Sequence, residues 1–218
     1  MDLWTYWLTV IHAMLTYLSS NFGLGTGLGI ILLTVILRTL ILPISWSSAY
    51  RACVHQKKMA RLQPQLERLR QECGAEPRLY AERVRGVYRA HGMTLMDWRS
   101  LAGSLVQLPL FLGMYQSLRG LANGARFLWI QSLSRPDIWL ALLAGVTTLW
   151  MMSANPDLPQ NMRVIMVAVP AVIAVIAALK VCSALAIYWT VSNCCSAIQT
   201  TAVHYVVAKR IKAGAITI

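Results

Sequence analysis

Acid is what this sequence mostly lacks. Eight Asp and Glu stand against twenty Lys and Arg in 218 residues. None falls between residues 3 and 66, between 98 and 136, or after Asp157. That excludes a carboxylate pair for acid–base work in any of those stretches. Charge of either sign is scarce, at 13%, where a soluble domain averages about 25%. Cysteine is sparse too. Cys53, Cys73, Cys182, Cys194 and Cys195 make no CxxC and no even framework, which excludes a zinc ribbon and a disulfide scaffold. Cys194, Cys195 and His204 match no familiar ligand spacing, so no metal or other cofactor is expected. There is no HExxH and no GxS-type nucleophile motif, and the chain reads as a non-enzyme. Ser183 with Lys180 is the one dyad conceivable by residue type, and it sits at a helix junction. No zinc finger or RNP signature accompanies the net charge of +12, so sequence-specific nucleic-acid binding is not expected. The first twenty residues lack a basic n-region and an A-x-A type site, so they do not read as a cleavable signal peptide.

What is present is apolar length. Hydrophobic residues make up 57% of the chain and the mean hydropathy is +0.54. Windows at 24–44, 101–118, 138–154, 163–180 and 183–205 approach or meet the ~20 residues a spanning helix needs. The expected fold is an all-α integral membrane protein with five transmembrane helices. Loop cations orient it. Residues 51–99 hold eleven Lys and Arg against five acids, whereas residues 1–23 hold no Lys or Arg. The chain is therefore read as N-out and C-in. The 119–137 connection falls outside, the 155–162 loop is cytoplasmic, and 206–218 is a basic cytoplasmic tail. The cation excess fits this bias together with attraction to anionic lipid.

Two further elements flank the spans. Over residues 1–22, Thr5, Thr9, His12, Thr16 and Ser19 form a polar stripe beside Trp4, Trp7, Leu8, Ile11, Leu15 and Leu18. That pattern predicts an amphipathic helix lying in the outer interface. Residues 45–99 predict a cytoplasmic helical hairpin. Its first arm carries Met59, Leu62, Leu66 and Leu69, "GAEP" makes the turn, and Leu79, Val84 and Tyr88 mark the second arm. Pro64 is expected to kink or restart the first arm.

One residue conflicts with its surroundings. Arg38 lies in "LLTVILRTLILP", about six residues from the inner end of its span, or roughly 9 Å deep. An arginine near the hydrocarbon centre costs about 2.5–3.5 kcal/mol on insertion scales. No acid lies in any expected span to pair with it. Snorkelling to the interface is one way out. The other is a wet pocket, and counting depth along the helices finds polar residues for one: Thr34, Gln107, Ser192, Asn193 and Gln199. A cation in a cytoplasm-open cavity suits an ion, a small anion, a lipid head group or a polypeptide.

Several runs together resemble the YidC-type membrane protein insertases: "GLGIILLTVILRTLILPIS", "KKMARLQPQLERLR", "LVQLPLFLGMYQSLRG", "FLWIQSLSRPD" and "IYWTVSNCCSAIQ". The resemblance runs from about residue 4 to 210. It implies a bacterial inner-membrane insertase whose five helices enclose a hydrophilic groove, open to cytoplasm and lipid and closed outside. In that picture Arg38 transiently holds a polar or acidic segment of a nascent membrane protein, and the apolar helix then passes into lipid. The groove positions that match the family are Thr34, Arg38, Gln107, Tyr188, Trp189 and Asn193, and depth counting adds Ser192 and Gln199. Recruitment of clients or ribosomes falls to Lys57, Lys58, Arg61, Arg68 and Arg70 on the hairpin and to Lys209, Arg210 and Lys212 in the tail. The implied partners are nascent clients, the ribosome, the Sec translocon and anionic lipid. The sequence departs from the family pattern at "GMTLMD", at "LAGSLV" and at Cys182–Ala184. It resembles a compact form without the extra anchor and large external domain of longer members. A specialised assembly factor for one complex, and a small-solute transporter or channel, remain as alternatives.

Overall fold

The computed structural model describes residues 2–21, 25–74, 76–90, 107–121, 124–158 and 162–215. Among them are seven helices and no strand beyond an isolated Phe127–Ile130 bridge. The helices are α1 (Leu3–Asn21), α2 (Gly25–Cys73), α3 (Pro77–Ala90), α4 (Gln107–Leu121), α5 (Ile138–Ser153), α6 (Arg163–Ala178) and α7 (Ser183–Lys212). The all-α expectation holds. The first six residues of the expected 101–118 span, and residues 91–99 of the expected hairpin, lie outside the described residues.

Helix α2 corrects one expectation. It runs unbroken for 49 residues through Pro43 and Pro64, so the first apolar window and the first hairpin arm are one rod of roughly 74 Å. A proline removes one N–H and sets its ring against the preceding turn. Both prolines lie on exposed positions, and the helix is not restarted at Pro64. The rod ends at Gly74, whose φ of +55° suits the left-handed position after a helix end. Helix α3 then folds back onto α2, covering Leu62, Cys73 and Tyr88. Leu79, expected on that apolar stripe, is 37% exposed. Helix α7 likewise outruns its expected end, carrying Lys209, Arg210 and Lys212 in its last turn.

Helix α7 packs between α2 and α5, and α6 packs on α5. Gly145 of α5 lies against Val175 and the Ala171 carbonyl of α6, and the buried residues of the two helices are mostly small: Ala141, Ala144, Gly145, Thr147 and Thr148 on α5, Ala171, Ala174 and Ala178 on α6. Small side chains let two backbones approach closely, which is how helices associate where lipid supplies no hydrophobic drive between them. Their outer faces are the reverse. Leu142, Leu143, Val146, Val164, Ile165, Val169, Val172, Ile173 and Ile176 are all more than 40% exposed. A contiguous apolar surface of this kind marks contact with membrane or partner.

Helix α1 packs against α2 and α4. It buries Ile11 and Leu15 completely and leaves Thr5, Thr9, His12 and Thr16 exposed, as the stripe predicts. The 124–137 segment closes the same end of the molecule. Helix α7 has no side-chain cap at Cys182. Its first N–H groups instead reach this segment, Ser183 N donating to Arg135 O (3.0 Å) and Ala184 N to Leu133 O (3.1 Å). Loop carbonyls thus satisfy donors that a helix start otherwise leaves bare. Asp137 caps α5, its carboxylate accepting from Leu140 N at 2.9 Å.

The seam makes a direct prediction. A Cβ at Gly145 would sit 2.4 Å from Val175 Cγ2, and a β-branched side chain is stiff about χ1. Gly145→Ala should cost about 1–3 kcal/mol by overpacking, read as unfolding in detergent. Val175→Ala in the same chain should recover most of it; equal loss with and without Val175 would refute the contact.

Candidate functional site

Arg38 lies on the α2 face turned to α7 and is partly buried. Its Nε donates to Ser192 Oγ at 2.9 Å, and Nη2 donates to the same oxygen. Ser192 is 3% exposed. Among the described residues no carboxylate pairs with Arg38. A guanidinium has five N–H donors, so a single hydroxyl oxygen is a small share of what it can bind. The cation is held in position without being neutralised.

Asn193, next in sequence, points elsewhere. Successive residues on a helix are about 100° apart, and Asn193 Nδ2 donates to Thr148 Oγ1 on α5 at 2.8 Å. Thr148 in turn donates to Ala144 O at 2.7 Å. Two adjacent polar residues therefore join α7 to two different helices. Two turns further along, Ser45 Oγ donates to Gln199 Oε1 at 3.3 Å, between α2 and α7 again. Arg38–Ser192 and Ser45–Gln199 thus line the α2–α7 seam at successive levels; depth counting along the sequence had set Gln199 level with Arg38 and Ser192 nearer mid-membrane, and it is Ser192 that meets Arg38.

The other expected groove residues sit differently. Thr34 is fully buried and its hydroxyl donates to Ile30 O at 2.6 Å within its own helix. Tyr188 is 2% exposed and belongs to the apolar core. Phe111 of α4 lies between the two aromatics, with ring centroids 6.3 Å from Tyr188 and 6.1 Å, edge-on, from Trp189. Gln107 begins α4; its side chain lies outside the described residues. Phe111 is the residue sequence reasoning missed, and its place four residues after Gln107 on the same helix was the available signal. Ser183, half of the conceivable dyad, commits its hydroxyl to Arg135 O at 2.6 Å, while Lys180 is exposed.

The far end of the bundle gathers charge. Lys57 Nζ lies 3.0 Å from Asp157 Oδ1, and Asn155 Nδ2 donates to Gln56 Oε1 at 3.2 Å. Arg210 donates to Tyr50 Oη at 3.1 Å and lies 5.3 Å from the centroid of that ring. Lys57 and Arg210, expected as recruiting cations, are therefore partnered inside the protein. Arg61, Arg68, Arg70, Lys209 and Lys212 are exposed and Lys58 is partly buried. Cys53 Sγ lies 3.3 Å from His204 Nδ1. Burial, reinforced by Asp157 and opposed by Lys57, pushes the Cys53 thiol up to about 11.

These features define an all-α membrane protein with a cation held against a neutral hydroxyl between two packed helices. The family described as 60Kd inner membrane protein matches residues 17–210, and the chain belongs to it. It is 28% identical to Membrane protein insertase YidC 2 of Streptococcus pyogenes serotype M3 over 221 residues, covering 96% of this chain and 71% of the relative. It is 30% identical to Membrane protein insertase YidC of Staphylococcus aureus strain JH9 over 203 residues, covering 84% and 67%. The resemblance seen in the motifs is thus a family relationship, one of membrane insertases.

The Asn193–Thr148 bond is open to measurement. A double-mutant cycle with Asn193→Ala and Thr148→Val should give a coupling of about 0.6–1.7 kcal/mol in detergent unfolding, the range for such bonds between membrane helices. Strictly additive losses would contradict the contact.

Proposed function

We propose that the chain is a membrane protein insertase of the bacterial inner membrane, and that Arg38 is the group its clients meet. The observation that carries this reading is the guanidinium bound to Ser192 alone, with no carboxylate beside it among the described residues. A structural arginine buried for stability would be expected to have an ionic partner. One held only by a hydroxyl keeps donors for a group that arrives and leaves.

In this reading five helices cross the membrane: the Gly25–Ile44 part of α2, then α4, α5, α6 and most of α7. The end bearing the 124–137 segment faces outward and the end bearing Asp157 and Arg210 faces the cytoplasm, giving N-out and C-in. Exposed Trp129, Trp139, Tyr6 and Tyr17 suit an aromatic belt at the outer interface. Arg38, Ser192, Ser45 and Gln199 then mark a polar path entering from the cytoplasm along the α2–α7 seam. Acidic or polar segments of a nascent client enter along it and exchange water for the Arg38 N–H groups. The client's apolar helix partitions into lipid, which supplies the drive without ATP. Phe111, Tyr188 and Trp189 stiffen the wall the client slides past. Arg68, Arg70, Lys209 and Lys212 present exposed cations to the ribosome, the Sec translocon or anionic lipid, whereas Lys57 and Arg210 also hold the fold together.

The test is reconstitution with a single-span client carrying a short acidic tail. A charge-assisted hydrogen bond contributes about 1.5–3 kcal/mol, so Arg38→Ala should lower insertion roughly 10–100-fold, and Arg38→Lys should keep most of it. Replacing the client's acids by neutral residues should remove the dependence. Unchanged insertion of the acidic client by Arg38→Ala would refute the proposal.

A further inference from the structure

The end of the bundle opposite the 124–137 segment holds a cluster that the insertion reading does not use. Cys53 on α2, Asp157 in the α5–α6 loop and His204 on α7 bring Sγ, a carboxylate oxygen and a ring nitrogen within 4.8 Å of one another. Sγ to Nδ1 is 3.3 Å and Nδ1 to Asp157 Oδ2 is 3.4 Å. Cys53 is 2% exposed, and the His204 and Asp157 side chains are 11% and 16% exposed. Three segments with no covalent tie at this level meet at one point.

Hydrogen bonding leaves the cluster incomplete. Nδ1 faces both Sγ and Oδ2, yet a ring nitrogen carries at most one proton. If the thiol donates to Nδ1, the nitrogen has no proton to give to Oδ2. If Nδ1 carries the proton, one hydrogen is shared between two acceptors. Asp157 Oδ2 is in fact buried without a hydrogen-bond partner, which ordinarily costs about 1–3 kcal/mol. Lys57 binds the other oxygen, Oδ1, and so leaves Oδ2 turned to the sulfur and nitrogen.

We propose that Cys53, Asp157 and His204 bind a zinc ion, which ties α2, the α5–α6 loop and α7 together at this end. Zinc bonds of about 2.3 Å to sulfur, 2.0–2.1 Å to nitrogen and 2.0–2.2 Å to oxygen give tetrahedral edges of about 3.6 Å for S–N and 3.4 Å for N–O. The two measured edges, 3.3 and 3.4 Å, are close to these; the Cys53–Asp157 edge is the one left to adjust. A sulfur–nitrogen–oxygen set suits zinc, and it excludes magnesium and calcium, which require oxygen ligands. Lys57 fills the role of an outer group that orients a ligating carboxylate. Thiolate and carboxylate together supply two negative charges against one on Lys57, so a divalent ion leaves the site at +1. Water completes the fourth position, since no other His, Cys, Asp or Glu joins the cluster among the described residues.

The experiment uses the full chain, purified in detergent and stripped with chelator. Zinc uptake is measured by equilibrium dialysis and elemental analysis. Cobalt replaces zinc as an optical probe, because a bound thiolate gives a sulfur-to-metal charge-transfer band. One zinc per chain is expected, with the cobalt band present in the wild type and in a chain carrying Cys194→Ser and Cys195→Ser. Cys53→Ser should abolish the band, and His204→Ala should weaken zinc binding at least about tenfold. A readout that does not depend on Cys53 variants folding is alkylation of Cys53 itself. Zinc should slow it in the wild type and leave it unchanged in His204→Ala. No stoichiometric uptake by the wild type, a cobalt band that survives Cys53→Ser, or alkylation unaffected by zinc would each overturn the site. None of these outcomes bears on Arg38, so the zinc site stands or falls apart from the insertion reading.

Discussion

The contact between Arg38 and Ser192 is the constraint around which the rest is arranged. A partly buried guanidinium needs its donors satisfied, and a carboxylate would do so best. Among the described residues none lies against it. A serine hydroxyl fixes the position of the cation, and no described carboxylate compensates its charge. That is an unfavourable arrangement for a static core and a useful one for a group whose partner comes and goes. The cost of burying it, about 2.5–3.5 kcal/mol at the centre of a helix, has to be offset by packing elsewhere.

Helix α7 supplies much of that packing. Ser192 reaches α2 and Asn193 reaches α5, because adjacent residues face different neighbours. Its N-terminal donors are satisfied by carbonyls of the 124–137 segment, and its C-terminal turn is held to α2 through Arg210 and Tyr50. Helix α5 is fixed in turn by the close small-residue seam with α6. The seam residue Arg38 is thus placed by elements that are themselves pinned at both ends, while α5 and α6 present their aliphatic faces outward.

Some of this was legible in the sequence. Segregated charge and apolar windows predicted an all-α membrane protein, and depth counting gathered polar residues around Arg38 but set Gln199 at its level and Ser192 nearer mid-membrane, where Ser192 meets Arg38 and Gln199 meets Ser45 two turns on. Rotation about the helix axis was less accessible. Thr34 turns inward to its own backbone, Asn193 turns to α5, and Tyr188 packs with Phe111, distinctions of 100° that a count of residues does not resolve. The continuity of α2 through Pro64 escaped for another reason: a proline removes one hydrogen bond and crowds one carbonyl of its own helix, a local cost that the turns on either side absorb here. The cluster of Cys53, Asp157 and His204 was invisible because its members lie up to 151 residues apart and follow no ligand spacing. The same fold that hides it sets Lys57 against Asp157.

The most direct test of the central claim is to find where a client lies during insertion. A photo-crosslinking residue at Gln199, on the Arg38–Ser192 seam, is compared with one at Ile173, on the exposed face of α6. A ribosome-stalled client with an acidic segment is then irradiated and the adducts are mapped by mass spectrometry. The expected result is adducts from position 199 to the acidic segment of the client, with position 173 meeting lipid. Client adducts at position 173 with only lipid at position 199 would contradict the account.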